Sequence, residues 1–243
     1  MTHYLGIITA YGAVAVMAWL AAMLYPRLIP ASAAMDYKSR WRQAGFFLVA
    51  VAASFAIAGM NRRGLLLSAG SLAAGLAMQL IASLPLLAFI AIQRNRSAIL
   101  VPQKSNLRSL AIGVGVAVLA VAAYFLSTGR WEGLPLLAQT ASSGEAITIA
   151  LRTVLRCVLV AAFLALVADG WSIRAALGIA SLAIAATQVP SLLADGFTIG
   201  WLGMLVMHVA LVTGLLSAIY VTRNIVWFWP VFFALNLLQF ATA

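Results

Sequence analysis

The sequence predicts an all-α fold, a polytopic bundle of about eight transmembrane helices. Three observations predict it. Hydrophobic residues make up 65% of the 243-residue chain, and charged residues only 8%. Mean hydropathy is +1.06. The apolar residues are gathered into runs close to the roughly 20 residues that carry a helix across a hydrocarbon core about 30 Å thick. The chain reads as one integral membrane domain, residues 1–243. Within it, four N-terminal helices (4–127) and four C-terminal helices (147–241) flank an interfacial loop (128–146).

The first span is expected from Tyr4 to Tyr25, ended by Pro26. This run lacks a basic leader and reads as a span rather than a cleaved signal peptide. A polar segment, Met35 to Gln43, precedes a short, Ala-rich second span from Ala44 to Met60. The third block, Leu65 to Gln93, is too long to stand upright, so it tilts or bends at Pro85. A basic loop with Arg94, Arg96, Lys104 and Arg108 leads to the fourth span, Ser109 to Ser127. The polar interval Thr128 to Glu145 carries a short interfacial segment around Trp131 to Leu137. The fifth span runs from Ile147 to Ala168 and the sixth from Ile173 to Leu193, through Pro190. The seventh runs from Ile199 to Val221. A tight Arg223-Asn224 connection joins it to the eighth, Ile225 to Ala241.

Loop charge sets orientation, because Lys and Arg concentrate on the cytoplasmic side. A cytoplasmic first loop places Arg27, Lys38, Arg40, Arg42, Arg94, Arg96, Lys104, Arg108, Arg174 and Arg223 inside. Arg62, Arg63, Arg130, Arg152 and Arg156 fall outside or near the outer end of a helix. Both termini are therefore expected on the non-cytoplasmic side. The Ala- and Arg-rich composition points to a bacterial inner membrane. The net charge of +10 is explained by loops meeting anionic membrane lipids, and nucleic acid is not an expected partner. Trp41, Trp131, Trp171, Trp201, Trp227 and Trp229 lie near expected helix ends, as an aromatic belt does.

Groups that do chemistry are scarce. Five acids, two histidines and one cysteine are present. Asp36, Glu132, Glu145, Asp169 and Asp195 all sit at helix ends or in loops. His3 and His208 are far apart, and Cys157 is alone. Neither a disulfide nor a protein-only metal cage follows from such a set, and no cofactor is implied. What remains is polar groups inside the spans. Arg152 and Arg156 are four apart and share a face of the fifth helix. They read as an anion, lipid-headgroup or partner-helix site, or alternatively as cations near the helix start that snorkel to the interface. Gln188 sits beside Pro190, His208 lies mid-span, and Asn236 and Gln239 are three apart on the last helix. Each suits an interhelical hydrogen bond or a place in a binding site. Gln79 is a similar lone polar group.

The segment Arg152 to Phe240 carries three recognisable stretches. They are Gly170-Trp171-Ser172 after one helix, Ile179 to Ser191 as a second, and Leu215 to Pro230 as a closing hairpin with Tyr220, Arg223 and Trp229-Pro230. This pattern resembles the CPBP family of intramembrane CAAX-processing and bacteriocin-processing or immunity proteins. The resemblance implies that family's fold and a cavity open to the membrane. It also places the family's catalytic motifs on residues that cannot perform them. The Glu-Glu-x-x-x-Arg motif falls on Val154 and Leu155 with its arginine at Leu159. The Phe-x-x-x-His motif falls on Ile184 and Gln188, and His-x-x-x-Asn on Leu235 and Gln239. Val, Leu and Gln cannot act as general bases or hold a metal. The resemblance therefore implies a protease fold without its site, leaving a non-catalytic binder of a membrane-protein partner or lipid-like ligand, such as an accessory subunit or assembly factor. Two other classes stay open: a transporter or channel component, and an intramembrane enzyme with an unfamiliar site around Arg152, Arg156 and His208.

Overall fold

A computed structural model describes residues 2–24, 28–32, 40–65, 71–93, 99–167, 172–186 and 199–242. Among these every regular element is helical. In chain order the α-helices are α1 (Thr2–Leu24), α2 (Arg40–Arg62), α3 (Leu72–Gln93), α4 (Asn106–Thr128), α5 (Leu134–Ala141), α6 (Gly144–Val167), α7 (Ile173–Ala186), α8 (Ile199–Thr222) and α9 (Phe228–Thr242), with a 3-10 turn at Trp131–Gly133 leading into α5. Six of them, α1, α2, α3, α4, α6 and α8, are long and apolar enough to cross a membrane. The protein is thus a helical membrane bundle. The expected count of eight is not reached. α9 is described over 15 residues, shorter than a full span, and α7 over 14, with residues 187–198 outside the described set.

Helix boundaries follow local chemistry. α4 ends where Gly129 takes a left-handed conformation (φ 68°) and its N–H bonds the Phe125 carbonyl at 2.8 Å, a glycine C-cap. Pro135 stands in the first turn of α5, where its missing N–H costs nothing. α3 begins only at Leu72 and continues through Pro85. α6 begins at Gly144 with Glu145 in its first turn, where a carboxylate favours the helix dipole. That start is three residues earlier than the sequence suggests.

Hydroxyls inside the helices fold back on their own backbone. Thr153 donates to Ile149 O at 2.7 Å, Ser181 to Leu177 O at 2.7 Å and Thr222 to Ala218 O at 2.8 Å. Such back-bonding satisfies polar groups where no water is at hand. Large apolar side chains on the bundle's outer surface stay exposed, among them Met23, Phe55, Ile92 and Leu126. A coat of this kind suits hydrocarbon rather than water.

The main core joins α1, α4, α6, α8 and α9, through Val14, Phe125, Leu164, Ile219 and Leu235 among others. It mixes residues from both halves of the chain. α1 and α8 run in the same direction: Gly12 faces Leu211, Ala15 faces Gly214, and Trp19 Nε1 donates to Ser217 Oγ at 3.1 Å. α2 and α3 stand apart from this core. They attach through a satellite cluster of Phe47, Ala50, Leu86 and Phe89 around Ala162 of α6. α3 accompanies α6 in the same direction, with Leu72 against Gly144 at one end and Phe89 in the Ala162 cluster towards the other.

Candidate functional site

Two polar constellations stand out from the apolar bundle, and they differ in kind. The first joins three connections at one end. Asn224 is fully buried. Its Nδ2 donates to Pro30 O at 2.7 Å and to Ser109 Oγ at 2.8 Å, while its Oδ1 accepts from Val226 N at 2.8 Å. Beside it, Ser32 N donates to Arg223 O and Ile225 N to Leu100 O, each at 3.0 Å. Trp227 is also fully buried, and its Nε1 donates to Thr222 Oγ1 at 3.0 Å. Trp227 is therefore not a member of an aromatic belt. The tight turn at Arg223-Asn224 draws it inward, and its carbonyl presses on Gly113 of α4. Leu100, Ser105 and Arg223 have φ values of 50°, 65° and 47°, a region costly for residues with a Cβ. The network of bonds holds them there.

The second constellation lies on α6. Arg152 and Arg156 are both exposed on the bundle. With the Gln79 amide oriented so that its oxygen faces the guanidinium, that oxygen accepts from Arg152 Nε at 2.8 Å and from a terminal guanidinium nitrogen at 3.2 Å. Arg156 interacts electrostatically with Arg152 and with Tyr11 of α1. The Tyr11 hydroxyl accepts a long bond from Gln239 Nε2 at 3.5 Å. Asn236, one turn before Gln239, donates to Phe232 O at 2.8 Å and to Thr153 Oγ1 at 3.4 Å. Arg152, Arg156, Asn236 and Gln239 thus gather where α6 and α9 meet, and Gln79 and Tyr11 join them from α3 and α1.

Gln188 lies outside the described residues. His208 is on α8, and its side chain is outside them too. Cys157 is buried in the main core. Among the described residues no group of three His, Cys, Asp or Glu side chains is placed to hold a metal. An open apolar groove of about 550 Å³ runs along α1 and α8, lined by Ile8, Gly12, Val16, Met17 and Leu211.

The start of α6 decides the setting of the arginines. The snorkelling reading needs both within two turns of the helix start. Arg156 instead stands twelve residues after Gly144, more than three turns in. The sequence singles out Gln79 as a lone polar group and Asn224 as part of a tight connection, but gives neither its partners, and Tyr11 is not singled out at all. Asn224 had a signal, since asparagine two residues before an acceptor-seeking N–H in a tight connection is a common turn-maker. Gln79 had none beyond its being polar. No family model, no curated protein and no solved structure matches the chain.

Proposed function

We propose that the protein is a non-catalytic component of a membrane assembly, an accessory subunit or assembly factor that works by binding another membrane protein. The observation that carries this reading is the arginine pair on α6. Arg152 is met by an amide oxygen, which accepts hydrogen bonds but cancels no charge, and Arg156 adds a second positive charge one turn away. An intramembrane cation is expensive at the bilayer centre unless an anion or water compensates it. A chain that keeps two of them on an exposed face expects that compensation from outside itself. The groove along α1 and α8 supports a second reading in which a lipid-like chain is the bound species.

In this reading the chain crosses the membrane eight times. α7 belongs to one short crossing, and α9 with the 223–227 connection makes another. Both termini lie on the non-cytoplasmic side of a bacterial inner membrane, as the distribution of loop Lys and Arg favours. The scaffold is a CPBP-type fold stripped of its peptidase site. Leu235, at one expected histidine position, is fully buried and apolar.

Gentle purification from the native membrane, with quantitative mass spectrometry of what accompanies the protein, tests the function. The expected result is a protein partner in fixed stoichiometry. A solitary protein that carries ion or solute flux in vesicles defeats the reading in favour of a transporter. Cleavage of prenylated or leader peptides that is lost on His208→Ala defeats it in favour of an enzyme. Cysteine labelling tests topology: Ser105→Cys and Ser142→Cys are expected to react from opposite sides of the membrane.

A further inference from the structure

Arg156 is twelve residues from the first residue of α6 and eleven from its last described residue, Val167. At 1.5 Å per residue it lies about 18 Å from one helix end and about 16 Å from the other. A hydrocarbon slab about 30 Å thick centred on α6 therefore puts Arg156 near the midplane, about 15 Å from either headgroup layer. A lipid phosphate cannot follow it there, and one side chain cannot cover that distance outward. Arg152 is one turn nearer to Gly144, and Gln79 holds its guanidinium. The two guanidiniums repel each other across one turn of helix, a spacing that a single carboxylate, with an acceptor oxygen for each, is shaped to bridge.

We infer that this face of α6 seats a transmembrane helix of a second membrane protein that carries an Asp or Glu near its midpoint, with the carboxylate between Arg152 and Arg156. The inference rests on the binding reading above and names the partner's chemistry. The described membrane-length helices of a second copy offer no acid near a midpoint. None of the described membrane-length helices contains an acid except α6, whose Glu145 is in its first turn. Depth disfavours a phospholipid headgroup, and the charge calls for an anion, so an acidic helix is the occupant left.

The test uses the full-length protein in nanodiscs of neutral phosphatidylcholine and a Leu/Ala transmembrane peptide of about 20 residues with either Glu or Gln at its centre. Energy transfer between labelled protein and labelled peptide reads association. The Glu peptide is expected to bind about tenfold more tightly than the Gln peptide. That preference is expected to vanish in Arg156→Gln and to survive in Arg156→Lys, which keeps the charge. Equal binding of the two peptides to the wild-type protein overturns the inference, whatever the variants do. A preference unchanged by Arg156→Gln overturns it as well. Loss of the preference when phosphatidylglycerol replaces half of the lipid, with the lipid retained by the wild type and not by Arg156→Gln, overturns it in favour of a phosphate site. Failure of the binding reading itself is seen separately, as a solitary native protein with flux in vesicles.

Discussion

The knot around Asn224 and the arginine face of α6 both use polar side chains to connect distant parts of an apolar chain, yet they close differently. Asn224 spends both amide hydrogens and its oxygen on Pro30, Ser109 and Val226, and it is fully buried. Arginine carries five donors. Arg152 has two of its donor nitrogens on Gln79, and it remains exposed with Arg156 beside it. A buried group that exhausts its partners within the chain belongs to the fold. An exposed charge with donors to spare, set in a membrane-length helix, belongs to something the chain meets.

The largest effect is expected at Asn224. Asn224→Leu keeps the volume and removes three hydrogen bonds at once, leaving the Pro30 carbonyl, the Ser109 hydroxyl and the Val226 N–H each short of a partner. Buried orphans of this kind cost about 1–3 kcal/mol apiece. Ser109 keeps its bond to Ser105 O, so the expected loss is about 3–5 kcal/mol, read as a large fall in melting temperature in detergent. Ser109→Ala added to Asn224→Leu is expected to cost less than the sum of the two, because the pair share one bond. Arg156→Gln, measured the same way, is expected to leave the melt almost unchanged. A melt that falls equally for Arg156→Gln and Asn224→Leu removes the distinction between the two regions.

A smaller effect tests the knot from its neighbour helix. A Cβ on Gly113 would collide with the Trp227 carbonyl, whereas one on Gly115 would meet nothing within 4 Å. Backbone cannot step aside as a flexible side chain can, so Gly113→Ala is expected to cost about 1–3 kcal/mol. Gly115→Ala is expected to gain up to about 1 kcal/mol, from helix propensity alone. Thermal unfolding of the two variants side by side checks the sign of each. Equal and positive effects would show that α4 and the Trp227 turn do not touch.

The bundle was legible because hydropathy reports spans directly. The fourth span is expected from Ser109 to Ser127 and forms as Asn106–Thr128. Boundaries in polar sequence were less legible, and one of them mattered. Glu145 and Ala146 look like the end of a loop, but a carboxylate is welcome in a helix's first turn. The earlier start moves Arg156 from the interface towards the middle of α6. The last helix is shorter than its apolar run, because Asn224 and Trp227 turn the first residues of that run into a buried connection. Least legible were partners between helices. Arg152 and Arg156 could be singled out by their cost in a membrane and their shared face. Gln79 is 73 positions before Arg152, and nothing in helical periodicity says that α3 will lie along α6 in that register. Pairing across helices is set by packing, which one sequence does not display.

The smallest expected effect lies at that pairing, and it decides how open the arginine face is. Gln79→Leu removes the acceptor from Arg152 at 2.8 and 3.2 Å. Arg152 is exposed and one turn nearer the start of α6 than Arg156, so its guanidinium can snorkel towards interfacial acceptors rather than stay unsatisfied. The cost is therefore expected to be about 1 kcal/mol, the net worth of a hydrogen bond whose donor finds another partner. Gln79→Glu keeps the shape and supplies the missing charge from within. It is expected to raise the melting temperature and to weaken the preference for a Glu-bearing peptide, since Arg152 then has its own carboxylate. The pair of measurements has a clear contrary outcome. If Gln79→Leu costs as much as Asn224→Leu, and Gln79→Glu also destabilises, then Arg152 is a closed structural group like Asn224. The binding surface on α6 would then shrink to Arg156 alone.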